Sequence, residues 1–164
     1  MKKYYIAYGS NLNTRQMNFR CSGAKVVGTG FIKDYQLIFK GSLTGAYLTI
    51  EKPEGKSVPV AIWEVSEENE KALDRYEGYP SFYYKKEMEI ELTEIKTKKT
   101  YRKQAFVYIM HEERKLGIPY KDYLLVCLEG YKTFKFNSKY LEEALKNSME
   151  VKNANSNYGN QNLS

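Results

Sequence analysis

Apolar and polar positions alternate along this chain in short blocks, each closed by Gly, Pro, Asn or Asp, a pattern that predicts strands more often than helices. Residues 3–8 are rich in β-forming aromatics and end at Gly9-Ser10-Asn11, which predicts a first strand closing in a sharp turn, with Asn11 capping a short helix through Leu12 to Phe19. Ala24 to Lys40 divides at Lys33-Asp34 into two strand-like pieces. Ala46–Ile50 and Val58–Val65 add two more around a Pro-Glu-Gly-Lys turn. Ser66 followed by Glu67, Glu68 and Glu70 is a helix start, a Ser cap with acids in the first turn where they complement the macrodipole. That helix is expected to reach about Tyr76 and stop at Gly78-Tyr79-Pro80.

Residues 83–95 and 100–110 are two long β-patterned runs around a Lys-rich turn, most simply an antiparallel hairpin. Pro119 suits the first turn of a helix ending near Glu129-Gly130, and Ser138 to Lys146 fits a last short helix. From about Val151 the chain turns Asn-rich and nearly free of apolar residues, so residues 1–150 are expected to form the domain and 151–164 a disordered polar tail. Strands outnumber helices and are mostly consecutive. This predicts an α+β fold with a small, mostly antiparallel, barrel-like sheet and flanking helices.

Composition narrows the function classes. The chain has 164 residues, 42% hydrophobic and 28% charged, the profile of a globular protein large enough for one core. No apolar run is long enough for a bilayer, and the first strand meets its turn before a signal-peptide core could form, so the expectation is a cytoplasmic protein with no membrane partner. Net charge is +6, which raises nucleic acid as a partner. The basic residues are nevertheless interspersed with acids, and the dense cluster Lys96 to Lys103 reads as a solvated hairpin end, so no nucleic-acid partner is expected.

Cys21 and Cys127 stand far apart with no metal-ligand spacing, and His111 is the single histidine, read as a strand-end or loop side chain. With metal and Cys–His chemistry set aside, carboxylates are the natural acid/base candidates and no metal or cofactor is implied. Glu77 follows Leu73 by four residues, on the face that Leu73 turns to the core, and at a helix C-terminus. Burial and the negative end of the helix dipole would both raise its pKa into the range of a general base. The competing reading, an ordinary terminal Glu paired with a neighbouring Lys or Arg, stands equally on periodicity alone. Tyr8-Gly9-Ser10-Asn11-Leu12, a strand-to-helix turn, leaves backbone N–H groups able to face an anion. The same letters also make ordinary turns.

Taken in order, these segments resemble the γ-glutamyl cyclotransferase family, including its γ-glutamylamine and AIG2-like branches. Tyr8-Gly9-Ser10-Asn11-Leu12 looks like the family's Tyr-Gly-Ser-Asn-Leu loop, followed by Arg15 and Arg20. Leu73-Asp74-Arg75-Tyr76-Glu77-Gly78-Tyr79-Pro80 looks like its Leu-Asp-x-x-Glu-Gly-x-Pro segment, followed by Tyr83; Gly130-Tyr131 matches a later pair. The resemblance spans roughly residues 3–147. It implies a compact β-barrel with flanking helices, Glu77 as catalytic acid/base, and a substrate site at Tyr8, Gly9, Ser10, Asn11, Leu12 and Tyr83, with Tyr84 as the alternative to Tyr83.

The implied reaction closes a γ-glutamyl substrate on its own α-amine to give 5-oxoproline and an amine, without metal or cofactor. Asn11 stands where glutathione-specific members carry Leu, which disfavours glutathione. Two other classes compete: a non-catalytic binder of γ-glutamyl or related amino-acid ligands, and a basic module meeting RNA or another anion through its Lys-rich hairpin.

Overall fold

A computed structural model describes residues 2–161. Seven strands form in chain order: β1 (Lys3–Ala7), β2 (Lys25–Lys33), β3 (Gln36–Lys40), β4 (Tyr47–Glu51), β5 (Ser57–Val65), β6 (Tyr83–Glu94) and β7 (Thr100–Met110). Five of them close a barrel in the order β1-β5-β2-β6-β7, and β3 pairs with β4 as a separate two-stranded sheet. All pairings are antiparallel except the closing one, where β1 meets β7 in parallel at Tyr5 and Phe106. The expected α+β barrel is thus present, with β6 and β7 forming the expected hairpin.

Closure depends on β2 bending against two neighbours at once. Its register to β5 shifts between Val26 and Gly28, a bulge that sharpens the bend. A Cβ at Gly28 would stand 2.5 Å from the Thr93 carbonyl oxygen, so only glycine lets β2 press this closely onto β6. Ile6 on β1, Val60 and Ile62 on β5, and Val107 and Ile109 on β7 are fully buried or nearly so and belong to one core.

Four helices flank the barrel: α1 (Thr14–Arg20), α2 (Glu67–Glu77), α3 (Lys121–Thr133) and α4 (Lys139–Gln161). Ser66 caps α2 in a reciprocal box: its hydroxyl accepts the Asn69 N–H at 3.1 Å, and the Asn69 side chain accepts the Ser66 N–H at 3.0 Å. Gly78 ends α2 in the left-handed region at φ 63°, where the missing Cβ removes the steric penalty.

Three expectations change. The first helix begins at Thr14, not at Leu12, because Asn13 supplies the cap to Gln16 while residues 10–12 tighten into a single 3₁₀ turn. Gly130 lies inside α3 rather than ending it; a Cβ there would reach 2.6 Å from that of Leu12, so this glycine lets helix and turn touch. The last helix continues to Gln161, across most of the segment expected to be a disordered tail, since extending a helix already anchored by Leu141 and Ala144 needs no new nucleation. Residues 162–164 lie outside the described residues.

Candidate active site

The turn after β1 and the end of α2 meet through the Ser10–Tyr76 hydrogen bond at 3.0 Å. Between them and the start of β4 lies a cavity of about 310 Å³, lined by Tyr8, Gly9, Ser10, Asn11, Glu77 and Tyr83 among others. Six of the seven residues expected at the site therefore share one pocket. Leu12 does not: its side chain is wholly buried and its N–H donates to the Gly9 carbonyl at 3.0 Å. Closing the 3₁₀ turn consumes that donor, and Asn13 N–H likewise goes to Ser10 O. The N–H groups of Ser10 and Asn11 lie at the open end of the turn, outside those bonds.

Glu77 is half-buried at the last position of α2. Among the described residues its carboxylate has no hydrogen-bond or ion-pair partner, so the reading as an ordinary paired Glu does not hold. Burial raises its pKa to about 7, and the positive charge of Arg20 restrains the rise.

The tyrosines around it are spoken for. Tyr8 donates to the Tyr108 carbonyl at 2.7 Å, Tyr83 to the Leu48 carbonyl at 2.8 Å, and Tyr108 to Asp74 at 2.6 Å. Burial, reinforced by Glu77, holds Tyr5 and Tyr8 well above the ordinary phenol range, and burial does the same for Tyr83. The floor of the pocket is therefore neutral phenol and backbone. Tyr83, not Tyr84, faces it, because successive strand residues point to opposite sides; Tyr84 hydrogen-bonds Glu112 outside.

Several lining residues carry no signal in the local sequence. Tyr5 accepts a hydrogen bond from Asn11 at 2.8 Å, and Tyr76 shares one with Ser10 at 3.0 Å, linking turn to helix. Arg20, in α1, hydrogen-bonds the Asn11 side-chain carbonyl and lies 3.3 Å from the centroid of the Tyr76 ring. Tyr47, Phe82 and Tyr123 complete the wall. Their presence among sixteen tyrosines and seven phenylalanines could have been found only by knowing which strands converge.

Among the described residues no three His, Cys, Asp or Glu side chains cluster as metal ligands. Cys21 and Cys127 are buried, with thiols pushed up to about 11 and about 12 by burial, as expected of packing residues. His111 follows β7 and bonds the Pro80 carbonyl at 2.7 Å. No helix among the described residues is long and apolar enough to cross a membrane.

A cavity beside a closed barrel, with one unpartnered carboxylate among its described residues next to a backbone turn, is a candidate small-molecule site. Comparison with known proteins places the chain more closely. The family model described as gamma-glutamyl cyclotransferase, AIG2-like, matches residues 5–125, and the chain belongs to that family. A gamma-glutamylcyclotransferase from Bos taurus is 33% identical over 87 residues, a match spanning 49% of this chain and 46% of the bovine protein, so less than half of that relative's length is represented. The fold superposes on a structure of a gamma-glutamyl cyclotransferase with TM-score 0.74 at 23% identity, covering 88% of this chain and 86% of the other. It superposes equally, with TM-score 0.74 at 25% identity, on an uncharacterized protein from Homo sapiens, covering 87% and 86% of the two chains.

Proposed function

We propose that this chain is a γ-glutamyl cyclotransferase-type enzyme that converts a γ-glutamyl amine or peptide into 5-oxoproline and a free amine, acting in the cytoplasm and without a metal. The observation that carries this reading is Glu77: a carboxylate with no partner among the described residues, its pKa raised to about 7, in the same pocket as the open N–H groups of Ser10 and Asn11.

The chemistry follows from those groups. Glu77 takes a proton from the substrate's α-ammonium, a transfer suited to a base with a pKa near 7. The freed nitrogen attacks the γ-carbonyl carbon, forming the lactam C–N bond. The charge that develops on the carbonyl oxygen, or the standing charge of the α-carboxylate, is met by the N–H groups of Ser10 and Asn11. Glu77 returns its proton to the departing nitrogen as the original amide bond breaks, and the second proton that the attacking nitrogen sheds on becoming the lactam N–H passes to the released amine, which leaves as an ammonium, so no water is consumed. Because the nucleophile belongs to the substrate, the enzyme's main task is to hold the chain folded for ring closure. Tyr8 and Tyr83 supply a rigid wall for that, their hydroxyls already engaged.

The test is 5-oxoproline release from γ-glutamyl amino acids and amines by the native protein beside Glu77→Gln. Release by the native protein that falls at least 100-fold in a folded variant supports the assignment. Retained turnover removes Glu77 from the mechanism. Binding without turnover across the panel makes the chain a ligand-binding protein.

A further inference from the structure

The amine that leaves must extend from the reacting centre toward solvent, and the mouth of the cavity has a definite chemistry. Its floor is made by the buried Tyr5, Tyr8, Ser10 and Asn11, the side on which the γ-glutamyl carboxylate and carbonyl find donors. On the opposite side Tyr47 is 44% exposed and stands at the rim. Its ring meets Tyr123 edge-on at 5.1 Å and Phe82 edge-on at 6.3 Å, so the three form a fixed aromatic corner. The Tyr123 hydroxyl accepts the Leu48 N–H at 3.0 Å, which fixes the ring against β4.

Two cations stand near the aromatic corner. Arg75 lines the cavity, and the Arg114 guanidinium lies 4.0 Å over the Phe82 ring. Among the described residues neither arginine forms an ion pair. Among the described residues no acid other than Glu77 lines the pocket.

We propose that the corner of Tyr47, Phe82 and Tyr123 is the leaving-amine subsite, and that it selects γ-glutamyl substrates whose amine carries an aromatic, uncharged side chain. An aromatic ring packs against that corner and gives up its hydration there, whereas a small side chain leaves the corner unfilled. A cationic amine meets the like charge of Arg75 in the lining. An amino-acid carboxylate on the leaving group is compatible with it. This selectivity rests on the cyclisation proposed above.

The experiment compares kcat/KM for 5-oxoproline release from γ-glutamyl-phenylalanine, γ-glutamyl-alanine and γ-glutamyl-putrescine. The phenylalanine substrate is expected to exceed the other two by about tenfold or more, the scale set by burying an aromatic side chain. In Tyr47→Ala and in Phe82→Leu the ratio of the phenylalanine to the alanine substrate falls toward one. Turnover with no aromatic preference, a preference for putrescine, or a ratio unmoved in both folded variants overturns the subsite and leaves the cyclisation reading intact. Release from none of the three overturns the cyclisation reading itself.

Discussion

Arg20 stacks its guanidinium on Tyr76, with the carbon 3.3 Å from the ring centroid, while hydrogen-bonding the side chains of Asn11 and Gln16. One residue of α1 thereby joins the turn on one side of the pocket to the residue next to Glu77 on the other. Its charge also opposes the upward shift that burial imposes on Glu77. Replacing Arg20 by Gln removes that restraint, so the Glu77 pKa rises above about 7. A base must be deprotonated to act, so the acidic limb of the kcat/KM profile is expected to move to higher pH. Activity at pH 7 should fall several-fold and recover in part at pH 8 to 8.5. A profile that keeps its midpoint while losing only amplitude would separate clamping from tuning.

Glu77 links activity to stability in the opposite sense from most carboxylates. Its pKa rises from 4.5 to about 7 on folding, so the native state holds the proton over a window in which the unfolded chain has lost it. Below that window both states are protonated and there is no penalty. As pH climbs from 4.5 to about 7 the penalty grows, then stays constant above. Glu77→Gln is therefore expected to be more stable than the native protein at pH 8, by roughly 1–3 kcal/mol, with the difference vanishing near pH 4.5. Urea unfolding of the two proteins at several pH values reads it directly.

Lys85 in β6 lies 3.1 Å from Glu70 and 3.0 Å from Asp74, both on α2, and Asp74 in turn accepts the Tyr108 hydroxyl. Burial pushes the Glu70 carboxyl up, yet the hydrogen bonds from Lys3 and Lys85 outweigh it and hold it below the usual range. Lys85→Met leaves two acids on the helix with reduced compensation. Expected is a loss of about 1–3 kcal/mol in urea unfolding at pH 7, partly regained as pH falls and the two acids are neutralised.

Gly130→Ala tests the contact between α3 and the turn. The new Cβ would stand 2.6 Å from that of Leu12 and 2.9 Å from the Asn13 nitrogen, too close unless the 3₁₀ turn moves. Alanine favours helix more than glycine, so an exposed site would gain stability. Here the overpacking is expected to dominate and cost about 1–3 kcal/mol, with kcat falling further than stability explains because Ser10 and Asn11 shift with the turn.

The elements were largely legible in the sequence because they are written locally. Ser66 with its following acids marked α2, Lys33-Asp34 marked the break between β2 and β3, and the two long runs around a Lys-rich turn marked β6 and β7. Boundaries failed where a partner distant in sequence decided them. Asn11 resembled a cap, but its side chain is taken by Tyr5 and Arg20, and the cap fell to Asn13. Gly130 resembled a helix stop, but what it answers to is Leu12.

By itself the sequence determined which residue types were available for chemistry: a lone histidine, two isolated cysteines, a carboxylate on the core side of a helix, and a Gly-containing turn after a strand. Those follow from composition, spacing and periodicity, which are properties of neighbours along the chain. The packing of the barrel against the β3-β4 sheet and α3 decided that Tyr5 on β1, Tyr47 on β4, Phe82 before β6, Tyr108 on β7 and Tyr123 on α3 would wall one cavity. It also decided which of Tyr83 and Tyr84 faces the cavity, and that Glu77 would be left without a partner among the described residues. Strand order and register set those distances, and pairings across a hundred residues, such as Tyr5 with Phe106, leave no local trace in the pattern that precedes them.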